Sequence, residues 1–179
     1  MRTCKVCRIK FEPQFNSVQM CCSVKCSYEY AKNLREKKEK KEWNKEKKER
    51  KEALKTKQDY EKELQAVFNT FIRLRDKDKP CISCGVKLVG KYDAGHYYPT
   101  GSYKNLRFNE DNTHAQCVHC NQHKHGNLTE YSLSLPNRIG EEAFGRLISD
   151  RLIEKHYSIP ELIELKVIYK EKIRRLKLP

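Results

Sequence analysis

From Tyr60 onward, apolar residues recur at helical spacing. Tyr60, Leu64, Val67, Phe68, Phe71 and Ile72 follow one another at steps of 4, 3, 1, 3 and 1, which sets them on one helical face. The helix should stop between Asp76 and Lys79, because Pro80 disfavours helical geometry in the residue before it. Ala143, Phe144, Leu147, Ile148 and Leu152 mark a second apolar face. Ser158 and Glu161 form a capping-box pattern around Pro160 and open a last helix, with Leu162, Leu165, Tyr169, Ile173 and Leu176 along one side. All of these residues read as packing, either on the Tyr60 helix or on a second subunit.

Upstream the pattern vanishes. Residues 35 to 52, REKKEKKEWNKEKKERKE, hold Trp43 as their only large apolar side chain, so no core can form there. Glu36 with Lys40 and Glu46 with Arg50 stand at i, i+4, worth about 0.2–0.5 kcal/mol each in a helix. A solvated helical spacer and a partly disordered basic linker both satisfy this run, and its lysines can touch phosphate in either form.

Composition sharpens this into small modules rather than one large core, since 35% charged residues stand against 37% hydrophobic ones in 179 residues. Lys and Arg exceed Asp and Glu by 38 to 24, a net +14. That excess points to a polyanion, nucleic acid first and an acidic membrane surface second. No run approaches the roughly 18 apolar residues of a membrane span, and MRTCKVC lacks the apolar core of a signal peptide. The expected location is therefore the cytoplasm. Nine cysteines, grouped as CxxC-type units in a reducing compartment, argue for metal thiolates rather than disulfides.

At the start, Cys4-x2-Cys7 and Cys22-x3-Cys26 supply four thiolates for a closed structural zinc site, with Cys21 spare or standing in for Cys22. Some 28 residues cannot otherwise bury a core. In the centre, Cys81-Ile-Ser-Cys84-Gly85 and Cys117-Val-His-Cys120 form a second set of four. Redox CxxC motifs come singly, so a matched pair reads as structural zinc that clamps the residues between. Those residues include Asp93, His96, Asn112 and His114, and Asn121, His123, Lys124 and His125 follow directly after Cys120.

The order CxxCG, a histidine followed by an aromatic and Pro99, Asn112, and a CxxC leading into CNQHK resembles the HNH branch of the ββα-metal (His-Me finger) endonucleases. A closer resemblance covers nearly the whole chain. CISCG, DAGHY, LRFNEDN, QCVHCNQHKHGNL and a following tyrosine, preceded by a cysteine cluster and a charged helix, are similar to the NinG (Rap) recombination endonucleases of lambdoid phages. That resemblance implies a structure-specific DNA nuclease acting on branched intermediates such as D-loops and Holliday junctions.

It also implies roles for individual residues. Hydrolysis of a phosphodiester needs a base for water and a divalent cation for the developing charge. His96 takes the family's hairpin-histidine position and becomes the candidate base. Asn121 matches a metal-ligand position at the start of the finger helix. His125, four residues on, is a candidate second ligand to Mg²⁺ or Mn²⁺. Asn112 matches the middle asparagine and would hold the loop that orients His96. Many HNH enzymes carry a carboxylate directly before the base, where this chain has Gly95. Asp93 either supplies that carboxylate or only fixes the hairpin. His114, His119 and His123 are expected to cap turns or contact phosphate, and Lys104, Arg107 and Lys124 are candidate phosphate clamps.

The expected fold is small, zinc-dependent and α+β: a ββα-metal (HNH) finger core with flanking α-helices, a long charged helix and an N-terminal zinc knuckle. Its segments are 1–28 (knuckle), 29–59 (charged arm), 60–131 (nuclease core) and 132–179 (C-terminal helices). Expected partners are branched DNA, a second copy of the chain in a homodimer, and recombination proteins, with no membrane. Three other readings share much of this pattern: a non-catalytic zinc module that binds nucleic acid, a sequence-specific HNH nuclease, and a scaffold whose charged helix recruits a partner.

Overall fold

The computed structural model describes residues 1–16 and 18–178 and divides into two units, Met1–Lys55 and Thr56–Pro179. The first unit begins with a minimal hairpin, β1 (Arg2–Thr3) and β2 (Lys10–Phe11), paired antiparallel. It continues into α1 (Val24–Ala53), a helix of 30 residues with none buried. The charged run is thus helical, and the helix starts earlier than the arm expected from residue 29. Ser23 opens it, accepting from the Cys26 backbone N–H, so Cys26 lies inside the helix and the knuckle and arm form one continuous unit. Lys, Glu and Arg are good helix formers. Ion pairs such as Lys32–Glu36, Lys38–Glu42 and Lys45–Glu49 run along the helix at i, i+4.

The second unit is α+β. Helix α2 (Lys57–Arg75) starts with a capping box between Thr56 and Asp59 and ends with Asp76 as its cap, at the near edge of the predicted stop. Strands β3 (Tyr92–His96) and β4 (Thr113–Cys117) pair antiparallel, with Gly95 opposite His114 and His96 opposite Thr113. Three helices follow: α3 (Leu128–Ile139), α4 (Glu141–Asp150) and α5 (Ile159–Leu176). Helix α3 escaped the sequence reading. Only Tyr131 and Leu135 are buried along it, and Pro136 lies inside it, a residue that normally argues against a helix interior. Leu152 lies beyond the end of α4 and is exposed, because the helix stops at Asp150.

Two cores result. Leu64, Phe68, Phe71 and Ile72 of α2 pack with Phe108 and with Leu162 and Tyr169 of α5. Phe68 meets Tyr169 edge-on, with centroids 4.9 Å apart at 77°, and the Tyr169 hydroxyl donates to the Phe108 carbonyl at 2.9 Å. The C-terminal helix therefore shares a core with the segment it was separated from on paper. The second core joins Ile82 and Leu106 to Tyr131, Leu135 and Leu147.

A polar pin ties α2 to β4. Asp76 is fully buried; it takes a bidentate bond from Arg75 and a third from the Ala115 N–H. Arg75 also donates to the Glu110 and Thr113 carbonyls. Burial works against the Asp76 carboxylate, yet Arg75 and the Ala115 N–H hold its pKa below the ordinary value.

His114, next to Ala115, is buried, and its Nδ1 lies 3.2 Å from the Tyr131 hydroxyl, which itself donates to the Gly95 carbonyl. The hydroxyl proton is committed, so Nδ1–H must be the donor to it. Burial and the positive charge of Arg75 drive the His114 pKa down from 6.5 to about 3. The folded ring stays neutral where the unfolded one takes up a proton, so this stability is present above about pH 6.5 and falls as pH drops toward 3. We expect about 2 kcal/mol to be lost between pH 7 and pH 5 through this residue. Denaturant titrations should show that loss shrink in His114→Gln, whose amide can still donate to Tyr131; an unchanged pH slope in the variant would contradict this account.

Candidate functional site

Both cysteine quartets close. Cys81, Cys84, Cys117 and Cys120 bring their sulfurs within 4.8 Å of one another, as do Cys4, Cys7, Cys22 and Cys26. A zinc ion about 2.3 Å from each sulfur would set tetrahedral ligands roughly 3.8 Å apart; the Cys84–Cys117 and Cys22–Cys26 separations are both 3.8 Å and Cys7–Cys22 is 3.4 Å. The donor sets therefore fit zinc. Cys22, not Cys21, completes the first quartet; Cys21 is buried alongside, and burial together with Cys4 pushes its thiol up.

The central quartet is prepared by backbone geometry. The Cys81–Cys84 turn closes with the Gly85 N–H on the Cys81 carbonyl at 3.0 Å, and Gly85 takes φ +70, a left-handed position that costs glycine little. The Cys81 sulfur accepts from the Cys117 N–H and the Cys117 sulfur from the Cys120 N–H. Against burial, N–H groups of Cys84, Cys117 and Ser83 hold the Cys81 pKa below the ordinary thiol value. Burial and the neighbouring Cys84 and Cys117 push Cys120 up to about 12. A bound divalent cation would remove that mutual penalty.

After the second knuckle the chain makes one wide helical turn, His119–His123, with i→i+5 bonds such as Lys124 N–H to His119 O at 3.0 Å. It ends in left-handed residues, His125 at φ 49, Gly126 at φ 92 and Asn127 at φ 43. His125 thus lies past the turn rather than one α-helical turn along it. Even so, His96, Asn121 and His125 line one open cleft of about 350 Å³, together with Ala94, Pro99 and Thr100.

His96 is half-buried against Phe68, with ring centroids 6.3 Å apart. Its Nε2 lies 3.0 Å from the Arg107 carbonyl. A carbonyl only accepts, so Nε2 carries the proton and Nδ1, without a protein partner among the described residues, is the free lone pair. Burial, with the nearby Arg107 charge, lowers the His96 pKa and keeps the ring neutral.

Asn112 is fully buried and fully used. Its Oδ1 accepts from the Tyr98 N–H, and its Nδ2 donates to the Tyr98 and Leu106 carbonyls. It staples the loop that runs from His96 to Arg107. Asp93 sits outside the cleft: its Oδ2 accepts from Asn121 Nδ2 at 3.0 Å and Gln122 Nε2 at 2.7 Å. Asn121 is thereby turned so that its oxygen is the free end. Among the described residues, only the two cysteine quartets gather three or more Cys, His, Asp or Glu ligand atoms.

A family profile described as "NinG: Bacteriophage Lambda NinG protein" matches residues 1–178. The chain belongs to the NinG family. It is 42% identical to the "Protein ninG" of Escherichia phage lambda, with 98% of this chain and 93% of that one aligned. It is 40% identical to the "Protein ninG" of Escherichia phage 933W and 41% to that of Salmonella phage P22, covering 98% of this chain and 94% of each. No solved structure matches. Among the described residues, no helix is long and apolar enough to cross a membrane.

For this NinG chain the remaining sequence candidates separate. The Arg107 guanidinium bonds Glu61 and Gln65 of α2, each at 2.9 Å, and so braces the carbonyl that meets His96 Nε2. Lys104 is exposed, lining a neighbouring depression with Lys57, Lys155 and His156, and Thr100 borders both this depression and the cleft. Lys124, His119 and His123 are exposed; buried His114 has no access to phosphate.

The structure adds one residue that sequence reading missed. Gln116 is buried, donating to Ser83 Oγ and the Gly126 carbonyl, while its Oε1 has no partner. A Cβ at Gly95 would lie 2.2 Å from that oxygen. The space that a side chain at position 95 would need is thus filled from the opposite strand. The position of Gln116 one residue before Cys117 carried no sequence signal of this role.

Two outcomes are expected. Metal analysis should find two zinc ions per chain, falling to one in Cys84→Ser or in Cys7→Ser and staying at two in Cys21→Ser. Gly95→Asp should lower stability by about 1–3 kcal/mol through overpacking, and adding Gln116→Ala should restore much of it in thermal melts.

Proposed function

We propose that this NinG chain is a metal-dependent DNA endonuclease of the ββα-metal (HNH) type, cutting branched recombination intermediates. The observation that carries the reading is the fixed tautomer of His96: Nε2–H is held by the Arg107 carbonyl, and a free Nδ1 belongs to a ring that lines a cleft shared with Asn121 and His125. Hairpin β3–β4 followed by the turn at His119–His123 supplies the two strands and the short helical element of such a finger.

In this reading His96 Nδ1 takes a proton from water, whose oxygen attacks phosphorus as the bond to the leaving oxygen breaks, and that oxygen takes its proton from solvent. The lowered pKa keeps the base in its active form at neutral pH. Asn121 and His125 are the cleft residues that would hold Mg²⁺ or Mn²⁺. That cation, when bound, neutralises charge on the phosphate. Asp93 acts through Asn121, which it orients, and Asn112 acts through the loop it staples. Lys104 and Lys124 serve as exposed phosphate contacts that carry no base sequence, as a branch-selective enzyme requires. The two zinc ions are structural. Two-fold symmetric junctions need two active sites for paired cuts, which favours a homodimer.

A labelled four-way junction and a matched duplex, each incubated with the zinc-loaded protein with and without added Mg²⁺, test the proposal. Metal-dependent cutting of the junction should fall by about 10²–10⁴-fold in His96→Ala, with the melting temperature checked alongside. Absence of cutting, or cutting indifferent to the substitution, would sink the catalytic reading. Equal cutting of junction and duplex would remove the branch preference alone.

A further inference from the structure

Helix α1 sorts its charges by direction. Taking about 100° per residue, Lys37, Lys40, Lys41, Lys47, Lys48 and Lys51 all lie within about 60° of Asn44 around the axis. Glu39, Glu42, Glu46 and Glu49, the acids of that same span, lie about 140° or more away. The ion pairs along the helix use other cations: Lys32, Lys38, Lys45, Arg50 and Lys55. Among the described residues none of the six face lysines has a carboxylate within 4.0 Å, and all six are exposed.

A plain spacer has no use for this. Like charges at i, i+3 and i+4 destabilise a helix, and mixing Glu into the face would remove the repulsion. The lysines form two rows about Asn44: Lys40, Lys47 and Lys51 on one side, Lys37, Lys41 and Lys48 on the other. The face runs straight for about 21 Å at 1.5 Å per residue. The major groove of B-DNA, about 12 Å wide, admits a single α-helix between two phosphate walls, whereas that of duplex RNA is too narrow. A lipid surface fits poorly, because Leu34 and Trp43, both exposed, point to opposite sides and leave no apolar face for insertion.

We propose that α1 lies along the major groove of a DNA duplex arm, with its two lysine rows on the phosphates of the two walls. The partner is the DNA of the nuclease reading, but cutting plays no part in this contact. The test is binding of the full-length, zinc-loaded chain to a fluorescent duplex of about 20 base pairs, without added Mg²⁺ or Mn²⁺, across a salt series. One variant combines Lys37→Gln, Lys40→Gln, Lys41→Gln, Lys47→Gln, Lys48→Gln and Lys51→Gln. A control removes the same charge elsewhere on the helix: Lys25→Gln, Lys32→Gln, Arg35→Gln, Lys38→Gln, Lys45→Gln and Arg50→Gln.

The face variant should flatten the slope of log affinity against log salt by about 5, the value for six lost phosphate contacts, while the control changes it far less. Circular dichroism should show both helices intact. Equal losses in the two variants would reduce the effect to net charge and overturn the proposal. So would parental binding no tighter to the duplex than to a single strand of equal phosphate count or to anionic phospholipid vesicles. A chain that binds duplex through this face yet never cuts a junction supports the proposal and removes the nuclease reading alone.

Discussion

The four sulfurs of Cys81, Cys84, Cys117 and Cys120 bring together points more than thirty residues apart in the chain, and the geometry of the cleft depends on that closure. A two-stranded hairpin such as β3–β4 is marginal in water by itself. Here one end of β4 is a metal-ligand position, and the wide turn carrying Asn121 begins two residues after Cys117. Zinc binding at such a site is folding free energy. A metal held by this quartet would therefore brace the candidate cleft without lining it.

Around that clamp the protein fixes the cleft with neutral, fully bonded groups rather than with ion pairs. Asn112 spends its side-chain hydrogen bonds on the backbone of one loop. His114 and Tyr131 pass a hydrogen bond to the Gly95 carbonyl. Buried polar groups that are satisfied in this way specify a single arrangement, and leaving any one unpaired is costly. The exceptions are Arg107 with Glu61, beside the carbonyl that holds His96, and Asp76 with Arg75, a buried charge pair whose remaining valences are taken by β4 and the segment before it. That pin aligns α2 with the hairpin and, through Phe68, gives His96 one wall of its pocket.

Gly95 shows how a departure from a familiar pattern acquires a cause. The Gln116 side chain crosses from the neighbouring strand into the space a side chain at 95 would need. The acid two residues earlier, Asp93, faces the amides of Asn121 and Gln122. An oxygen ligand can then come from an amide whose orientation a carboxylate holds, which moves the negative charge one step back from the cleft.

Periodicity in the sequence determined α2 and α5 and most of their buried faces, with Leu176 at the end of α5 exposed, because a 3.6-residue repeat of apolar groups has one good solution. Cysteine spacing determined both quartets, because ligand chemistry is local to each knuckle. The motif around His96, Asn112 and Asn121 was legible as a resemblance. Tertiary structure alone decided the rest. It chose Cys22 over Cys21, which are adjacent and chemically alike until the turn aims them. It put Asp93 behind Asn121, paired Arg107 with Glu61 and Gln65, and filled the Gly95 position with Gln116. Each of these depends on contacts between residues far apart in the chain, and such contacts leave no period or spacing to read.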